Sequence, residues 1–294
     1  MTAVDVMFPY YGDVDLMKQA ARSVMSQQYD DWRLVVLDDG YPDPEPQRWF
    51  ESIHDPRVSY QRNEQNLGAN GNYRKALELV QAPIMVVMGA DDVMLPNYLQ
   101  RIVEDFAAHP EAAMVQPGVQ VIDEAGRATS PLVDRVKKAY TPRGAKPQLL
   151  QGERLATSLL HAGWHYFPSI AWKSEVVRGV GFRKDYDVVQ DLALLLDIAA
   201  GGGALVLDPT LAFLYRRHSL SDSSVRALDG RRFEEERSFF REEAERFTAM
   251  GWSKAATAAK VHETSRLNAA SVMLQALRSG KTEAALRLLK HVVS

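Results

Sequence analysis

The sequence predicts an α/β fold, a mainly parallel sheet flanked by helices, with a helical appendage at its C-terminal end. Three observations carry this. Short runs of branched and sulfur-bearing apolar residues (4–8, 32–37, 58–61, 84–88 and 113–122) alternate with segments of helical period, and strands joined by helices imply crossover connections. Two of these runs, WRLVVL and IMVVM, break off abruptly into the paired acids Asp38–Asp39 and Asp91–Asp92, each beside a glycine. From about residue 227 strand patterning stops, and Phe233, Phe240, Ala244 and Phe247 keep helical spacing within a highly charged stretch.

Composition narrows the function classes. A chain of 294 residues suits one large α/β domain plus an appendage, or two domains. Its 35 basic and 38 acidic residues give a net charge of −3, so no overall charge directs it to nucleic acid. The absence of cysteine rules out disulfides and thiolate metal sites. The first ten residues lack a basic segment followed by a long apolar run, and no window approaches the ~20 apolar residues of a membrane span. The expectation is a cytoplasmic protein with no transmembrane segment. Peripheral contact with the inner face of the membrane is left open for its Arg- and Lys-bearing C-terminal helices.

The elements follow in order. Residues 4–8 form a strand closed by Pro9, and Tyr10, Tyr11 and Gly12 turn into a helix capped by Asp13 or Asp15 that runs to about Gln27. After the strand at 32–37, the proline-rich residues 41–46 read as loop and 49–53 as a short helix. Strand 58–61 leads through the turn-rich residues 66–71 to a helix over 72–80, then to strand 84–88. Pro96 and Asn97 announce a helix over 98–108, before the strand at 113–122. Residues 123–147, broken by prolines and glycines and loaded with charge, read as a loop or hairpin excursion, either a lid or a plain insertion. A helix over 149–161, the aromatic segment 164–167, a strand at 170–172, a leucine-rich helix opened by Asp191, and strands at 204–207 and 211–215 complete the domain. The tail reads as helices to Gly251, over 253–279 and over 282–293, with Gly280 as a stop and Leu286, Leu289 and Val293 on one face. Docking on the domain and contact with a membrane or partner are its two readings.

Candidate chemistry sits at strand ends and one helix start. Acids at the carboxyl end of a buried strand have no packing role, burying them unpaired is costly, and that edge of an open α/β sheet is where ligands bind. Mg²⁺ typically takes one or two carboxylates plus substrate phosphates, so Asp91 and Asp92 are candidate metal-side ligands; the alternative is a cap for the next helix. Residues 164–167 suit either an acceptor wall or core packing, and His165 either a base or ligand or a structural residue. Asp191 at a helix N-terminus is an ordinary cap or a functional acid.

Four pieces, FPYYGD (8–13), SVMSQQYDDWRLVVLDDG (23–40), NLGANGNYRKAL (66–77) and GADDVMLPNYL (89–99), together resemble the nucleotide-sugar half of family 2 glycosyltransferases, whose fold is the Rossmann-like GT-A. The resemblance implies that Pro9, Tyr10 and Tyr11 lie against the nucleotide base and that the second acid of Asp38–Asp39 meets the base edge. It implies donor contacts from Asn66 and Gly68 and a phosphate contact from Arg74. Asp91 and Asp92 would hold Mn²⁺ or Mg²⁺ and the diphosphate, with Gly89 standing where the family has its first acid. GF at 181–182, then an acid opening a leucine-rich helix, resembles the catalytic-base motif; Asp191 matches its second acid, Gln190 replaces the first, and Asp185 and Asp187 are the alternatives. YRRHSLSDSS (215–224) resembles the family's closing segment, which makes His218 a metal ligand and Arg216 or Arg217 a phosphate contact. The implied domain is 1–225, with a donor half to about 122 and an acceptor half from 123, followed by the helical region 226–294. The implied activity is inverting transfer from a UDP-, GDP- or dTDP-linked sugar to a hydroxyl of a glycan, lipid-linked or small-molecule acceptor. A catalytically inactive nucleotide-sugar-binding or scaffold protein is the rival reading. A nucleotidyltransferase would want a glycine- and arginine-rich loop after the first strand, which residues 9–15 lack.

Overall fold

The computed structural model describes residues 3–218, 231–278 and 282–293. The expected boundary at 225/226, residues 219–224 of the closing segment and the Gly280 stop lie outside the described residues. Strands β1 (Val4–Tyr10), β2 (Trp32–Asp38), β3 (Val58–Arg62) and β4 (Ile84–Val87) form a parallel half-sheet in the order β3-β2-β1-β4. It continues through β8 (Ala171–Lys173), β6 (Ala112–Ile122), β9 (Ala204–Arg216) and the two-residue β5 (Val93–Met94), with β7 (Gln148–Gln151) also on β9. β6 and β9 are parallel, but β8 runs antiparallel to both its neighbours, and β5 and β7 run antiparallel to β9. The sheet is therefore mixed rather than mainly parallel, because an apolar run records burial but not strand direction.

Helices cover both faces. On one, α1 (Val14–Met25), α2 (Glu45–Glu51) and α4 (Tyr98–Ala108) pack Met17, Ala20, Val24, Phe50 and Ile102 against Val6, Phe8, Leu34 and Val36. On the other, α3 (Gly68–Leu79), α6 (Gly152–Ala162), α7 (Ser174–Val180) and α8 (Gln190–Ala200) bury Ala76, Leu155, Val177 and Leu195 against Met7, Val35 and Leu37. Alternate residues of each strand thus meet opposite layers, which is why these strands read as unbroken apolar runs.

Several boundaries differ from the sequence reading. Helix α2 starts at Glu45 and takes Pro46 into its first turn, where a missing N–H costs nothing. Helix α3 starts at Gly68, inside the expected turn, and Gly68 takes the φ of +71° that a side chain would oppose. The excursion at 123–147 holds a helix, α5 (Leu132–Tyr140). The helix expected over 149–161 is split into β7 and α6, and residues 204–216 form one bent strand whose register shifts opposite Gly118.

The C-terminal helices α9 (Arg231–Ala249), α10 (Ser253–Val261), α11 (Glu263–Arg278) and α12 (Thr282–Val293) dock on the domain. Phe239, Phe240 and Phe247 enter the same core as Leu195 and Leu196. Arg183 pairs with Asp197 at 2.6 Å and Glu243 at 2.8 Å, and Arg246 reaches the same two acids. The chain expected to be one helix over 253–279 bends at His262, a non-glycine residue at φ +28°. In α12 Ala285, Leu288 and His291 are buried and Val292 partly so, while Leu289, expected on the apolar face, is exposed. Among the described residues no helix is long and apolar enough to cross a membrane.

Candidate active site

The carboxyl ends of β1, β2, β4, β6 and β9 lie along one edge of the sheet, and the site is built there. Tyr10 is paired in register with Asp38, and the N–H of Met88, just past β4, donates to the carbonyl of Met7. Asp38 is wholly buried; it accepts from the Tyr41 N–H at 2.7 Å and from the Tyr60 hydroxyl. Asp39, also buried, accepts at one oxygen from the Asn63 amide and the Leu67 N–H, each at 2.8 Å. These acids therefore brace the loops that follow β2 and β3. Tyr10 is buried, and its hydroxyl donates to the Gly12 carbonyl, while Pro9 is half-buried. Tyr11 is 57% exposed and meets the half-buried Tyr41 edge-on at 5.5 Å, so those two rings present the open aromatic surface. Asn66 is exposed and accepts the Gly68 N–H at 2.9 Å. Arg74 is half-buried and makes no hydrogen bond or ion pair with the described residues.

Beyond β4 the chain folds back on itself. A Cβ at Gly89 would lie 2.6 Å from the Asp92 carboxylate and 3.0 Å from that of Asp91, so this position is glycine because the two acids occupy the space above it. An acid in its place would require the Asp92 carboxylate to shift. The Asp91 carboxylate shares a 2.7 Å hydrogen bond with His218 Nε2, and that bond raises the imidazole's pKa. Asp92 is buried and accepts the Arg216 N–H at 2.8 Å; burial first, then the neighbouring Asp91 charge, pushes its pKa well up. The Arg216 guanidinium is committed to the protein. It donates to the carbonyls of Asp91, Asp123 and Glu124 and to the Gln19 side chain, so it clamps the loop rather than offering a free phosphate contact. Arg217 forms a two-pronged pair with the buried Asp134 of α5, which also accepts from the Tyr166 hydroxyl at 3.0 Å. These bonds tie the excursion down.

Asp191 is the second residue of α8, with its side chain 36% exposed. It accepts its Leu192 N–H at 2.7 Å, and its other oxygen lies 3.1 Å from Nε2 of the buried His165. Burial pushes the Asp191 pKa up, but His165, the Leu192 N–H and Lys137 together outweigh it, and the carboxyl ends below its ordinary range. Lys137 of α5 donates to the His165 carbonyl at 2.9 Å and lies over the Tyr166 ring; burial first, and the Arg217 charge, lower it to about 8. Gln190 donates to Asn70 of α3, whose amide reaches the Asp187 carboxylate at 2.5 Å and the Tyr186 carbonyl at 3.3 Å. Asp185 is exposed, so of the three candidate acids only Asp191 carries a histidine partner among the described residues.

Tyr73 feels the charge of both acid groups. Its ring packs with Phe167 and Phe182, and its phenol is raised to about 12, by burial first and then by the charges of Asp191, Asp91 and Asp92. Sequence reasoning named neither Tyr73, Tyr41 nor Lys137 as functional. Of these only Tyr41 carried a signal, its place directly after Asp38–Asp39–Gly40. A cleft of about 410 Å³ opens between α5 and the bend of β9, lined by Gln116, Gln120, Tyr166, Lys138 and Arg143.

A family model described as Glycosyl transferase family 2 matches residues 5–158, which take in the paired acids and the helix after them. The chain belongs to glycosyltransferase family 2. Its relatives include the succinoglycan biosynthesis protein ExoO of Rhizobium meliloti, 24% identical over 74% of this chain and 62% of that protein. They also include an Escherichia coli UDP-Glc:alpha-D-GlcNAc-diphosphoundecaprenol beta-1,3-glucosyltransferase, WfgD, 28% identical over 33% of this chain and 38% of that one. The chain spans 20% to 66% of the lengths of the curated relatives it matches. Among solved structures, TarS residues 1–349 of S. aureus in complex with UDP-GlcNAc superposes with a TM-score of 0.64 at 13% identity, covering 96% of this chain and 89% of that one. The fold of this family 2 member is accordingly GT-A.

Proposed function

We propose that the protein transfers a sugar, with inversion, from a nucleoside-diphosphate sugar to an acceptor hydroxyl, using a divalent metal ion. The arrangement that carries this reading is the Asp91–His218 pair just past a strand end and the Asp191–His165 pair at a helix start. The residues fit a hard cation. Two carboxylates fill the cradle over Gly89 with an imidazole against one of them, and carboxylates with substrate phosphates are the usual Mg²⁺ or Mn²⁺ donor set. Among the described residues no group of three acids or histidines is arranged to hold a metal ion by itself, so the substrate's phosphates would have to complete the set of ligands. Asp91, Asp92 and His218 would hold it, and when bound it supplies neutralising charge for the departing diphosphate.

The protein's own residues do the rest. Asp191 takes the proton from the acceptor hydroxyl as that oxygen bonds to the anomeric carbon. The bond from that carbon to the diphosphate oxygen breaks, and its electron pair leaves with the nucleotide. His165 and the Leu192 N–H keep the Asp191 carboxylate ionised and oriented. Arg74, which has no hydrogen bond or ion pair among the described residues, would meet phosphate, and Tyr11 with Tyr41 offers a stacking surface for the base. The acceptor enters along the cleft beside α5, next to Tyr166.

UDP is the first donor nucleotide to test, since WfgD acts from UDP-Glc and TarS binds UDP and UDP-GlcNAc. Calorimetric titration of UDP, GDP and dTDP with Mn²⁺, repeated in EDTA, is the experiment. Metal-dependent binding of UDP in preference to the others is expected. No binding of any nucleotide in either condition would remove the transferase reading.

A further inference from the structure

We infer that Glu235, on α9, is a positioning residue for the base: its carboxylate holds the backbone just before the helix that carries Asp191, which makes the C-terminal helical region part of the catalytic apparatus. The inference rests on Asp191 being the base.

Helix α8 has no cap of its own. Val189 stands at its N-cap without a side-chain acceptor, and the first N–H groups of a helix need one. Glu235 supplies an anionic acceptor from a distant element. One of its oxygens accepts from the N–H groups of Val188 at 2.6 Å, Val189 at 2.9 Å and Asp187 at 3.1 Å. Hydrogen bonds to an ionised acceptor are the stronger kind, and negative charge at a helix start is favoured by the dipole. Asp191 is two residues beyond the last of these N–H groups.

The opposite flank of the same segment is held from the donor side. Asn70 of α3 reaches the Tyr186 carbonyl and the Asp187 carboxylate and accepts from Gln190. Residues 186–189 have no regular secondary structure, so their conformation, and with it the direction of Asp191, is set by Asn70 on one side and α9 on the other. Tyr186 strengthens the second hold: its hydroxyl donates to Glu242 and its ring meets Phe239 edge-on at 5.3 Å. Docking of α9 does not depend on Glu235. The Arg183–Asp197–Glu243–Arg246 network and the Phe239, Phe240 and Phe247 side chains fasten the helix independently. Removing the Glu235 carboxylate therefore frees the base segment without undocking the tail.

The test compares Glu235→Ala, Glu235→Gln and Asp191→Asn in the full chain, with release of UDP from UDP-N-acetylglucosamine into water as the probe reaction. Amide hydrogen exchange at residues 187–189, kcat and the Kd for UDP with Mn²⁺ are measured together. In Glu235→Ala those three amides exchange faster and kcat falls on the order of tenfold to hundredfold, the scale of a misplaced catalytic group, while the UDP Kd stays within about twofold. Glu235→Gln recovers part of kcat, because an amide oxygen still accepts the N–H groups. A Glu235→Ala kcat equal to wild type overturns the inference, as does a parallel loss of UDP affinity, melting temperature and kcat, which is the signature of a plain staple. If Asp191→Asn keeps its activity, the base reading itself fails; if it is inactive while Glu235→Ala is fully active, only the present inference fails.

Discussion

The donor side and the base side of this site are made in different ways. On the donor side Tyr10, Asp38, Asp39, Asp91 and Asp92 each sit within a few residues of a buried strand, and Asp91 and Asp92 are also held by His218 and the Arg216 N–H. On the base side Asp191 has its helix, but His165, Lys137, Asn70 and Glu235 come from four other elements, up to 120 positions away in the chain. Strand ends place the donor-side acids and long-range hydrogen bonds then hold them, whereas on the base side such bonds also set the course of a segment without regular structure. The base side is thus expected to respond more than the donor side to changes elsewhere in the molecule.

The sharpest way to break the donor side is Gly89→Asp, which adds the family's usual first acid. Its Cβ must displace the Asp92 carboxylate 2.6 Å away, so metal-dependent nucleotide binding weakens by roughly tenfold to hundredfold, the scale seen when the groups supporting a metal site are moved. Titration of UDP with Mn²⁺ checks it, with circular dichroism to confirm that the fold is retained. Next are changes to the packing of the helical tail away from Glu235, which act on stability. Leu288→Ala, at a fully buried site, costs about 2–5 kcal/mol in urea unfolding, whereas Leu289→Ser at the exposed neighbour stays within about 0.5 kcal/mol. Arg183→Ala leaves the buried Glu243 short of one cation; with Arg246 still present, the loss is about 1–3 kcal/mol.

The smallest effect is the most informative about the base side. Burial raises the Asp191 pKa and His165 lowers it, so His165→Phe leaves the upward push less opposed. The acid limb of the pH–rate profile, which reports the base losing its charge, then moves to higher pH. A limb in the same place as wild type would mean that His165 does not set the ionisation of Asp191.

The same contrast explains what the sequence made legible. Asp91 and Asp39 were visible because an apolar run that stops at an acid has few structural meanings. Asp191 stood out for a similar reason, one acid at the head of a leucine-rich helix. Lys137 was not visible: it sits among Arg135 and Lys138 in a charged stretch, and only the fold turns one of the three inward. Helix α5 itself was hidden by the prolines at 131 and 142 that bound it. Glu235 lies in RRFEEERS, where three consecutive glutamates look alike and only the docking of α9 gives the middle one its partners. Strand β8 had the expected residues but not the expected direction, which depends on which end of the sheet the chain enters. The expected phosphate contact at Arg216 rested on a motif; the structure gives that side chain to backbone carbonyls.

The most direct test of the two-sided site pairs Asp91→Ala with Asp191→Asn, measuring Mn²⁺-dependent UDP binding and UDP release from UDP-N-acetylglucosamine in both. The account predicts a separation. Asp91→Ala loses the metal-dependent part of binding, while Asp191→Asn binds UDP as wild type does and loses turnover by roughly 10²–10⁴-fold, the scale of a general base. Asp191→Asn turning over normally, or Asp91→Ala binding UDP with unchanged metal dependence, would contradict it.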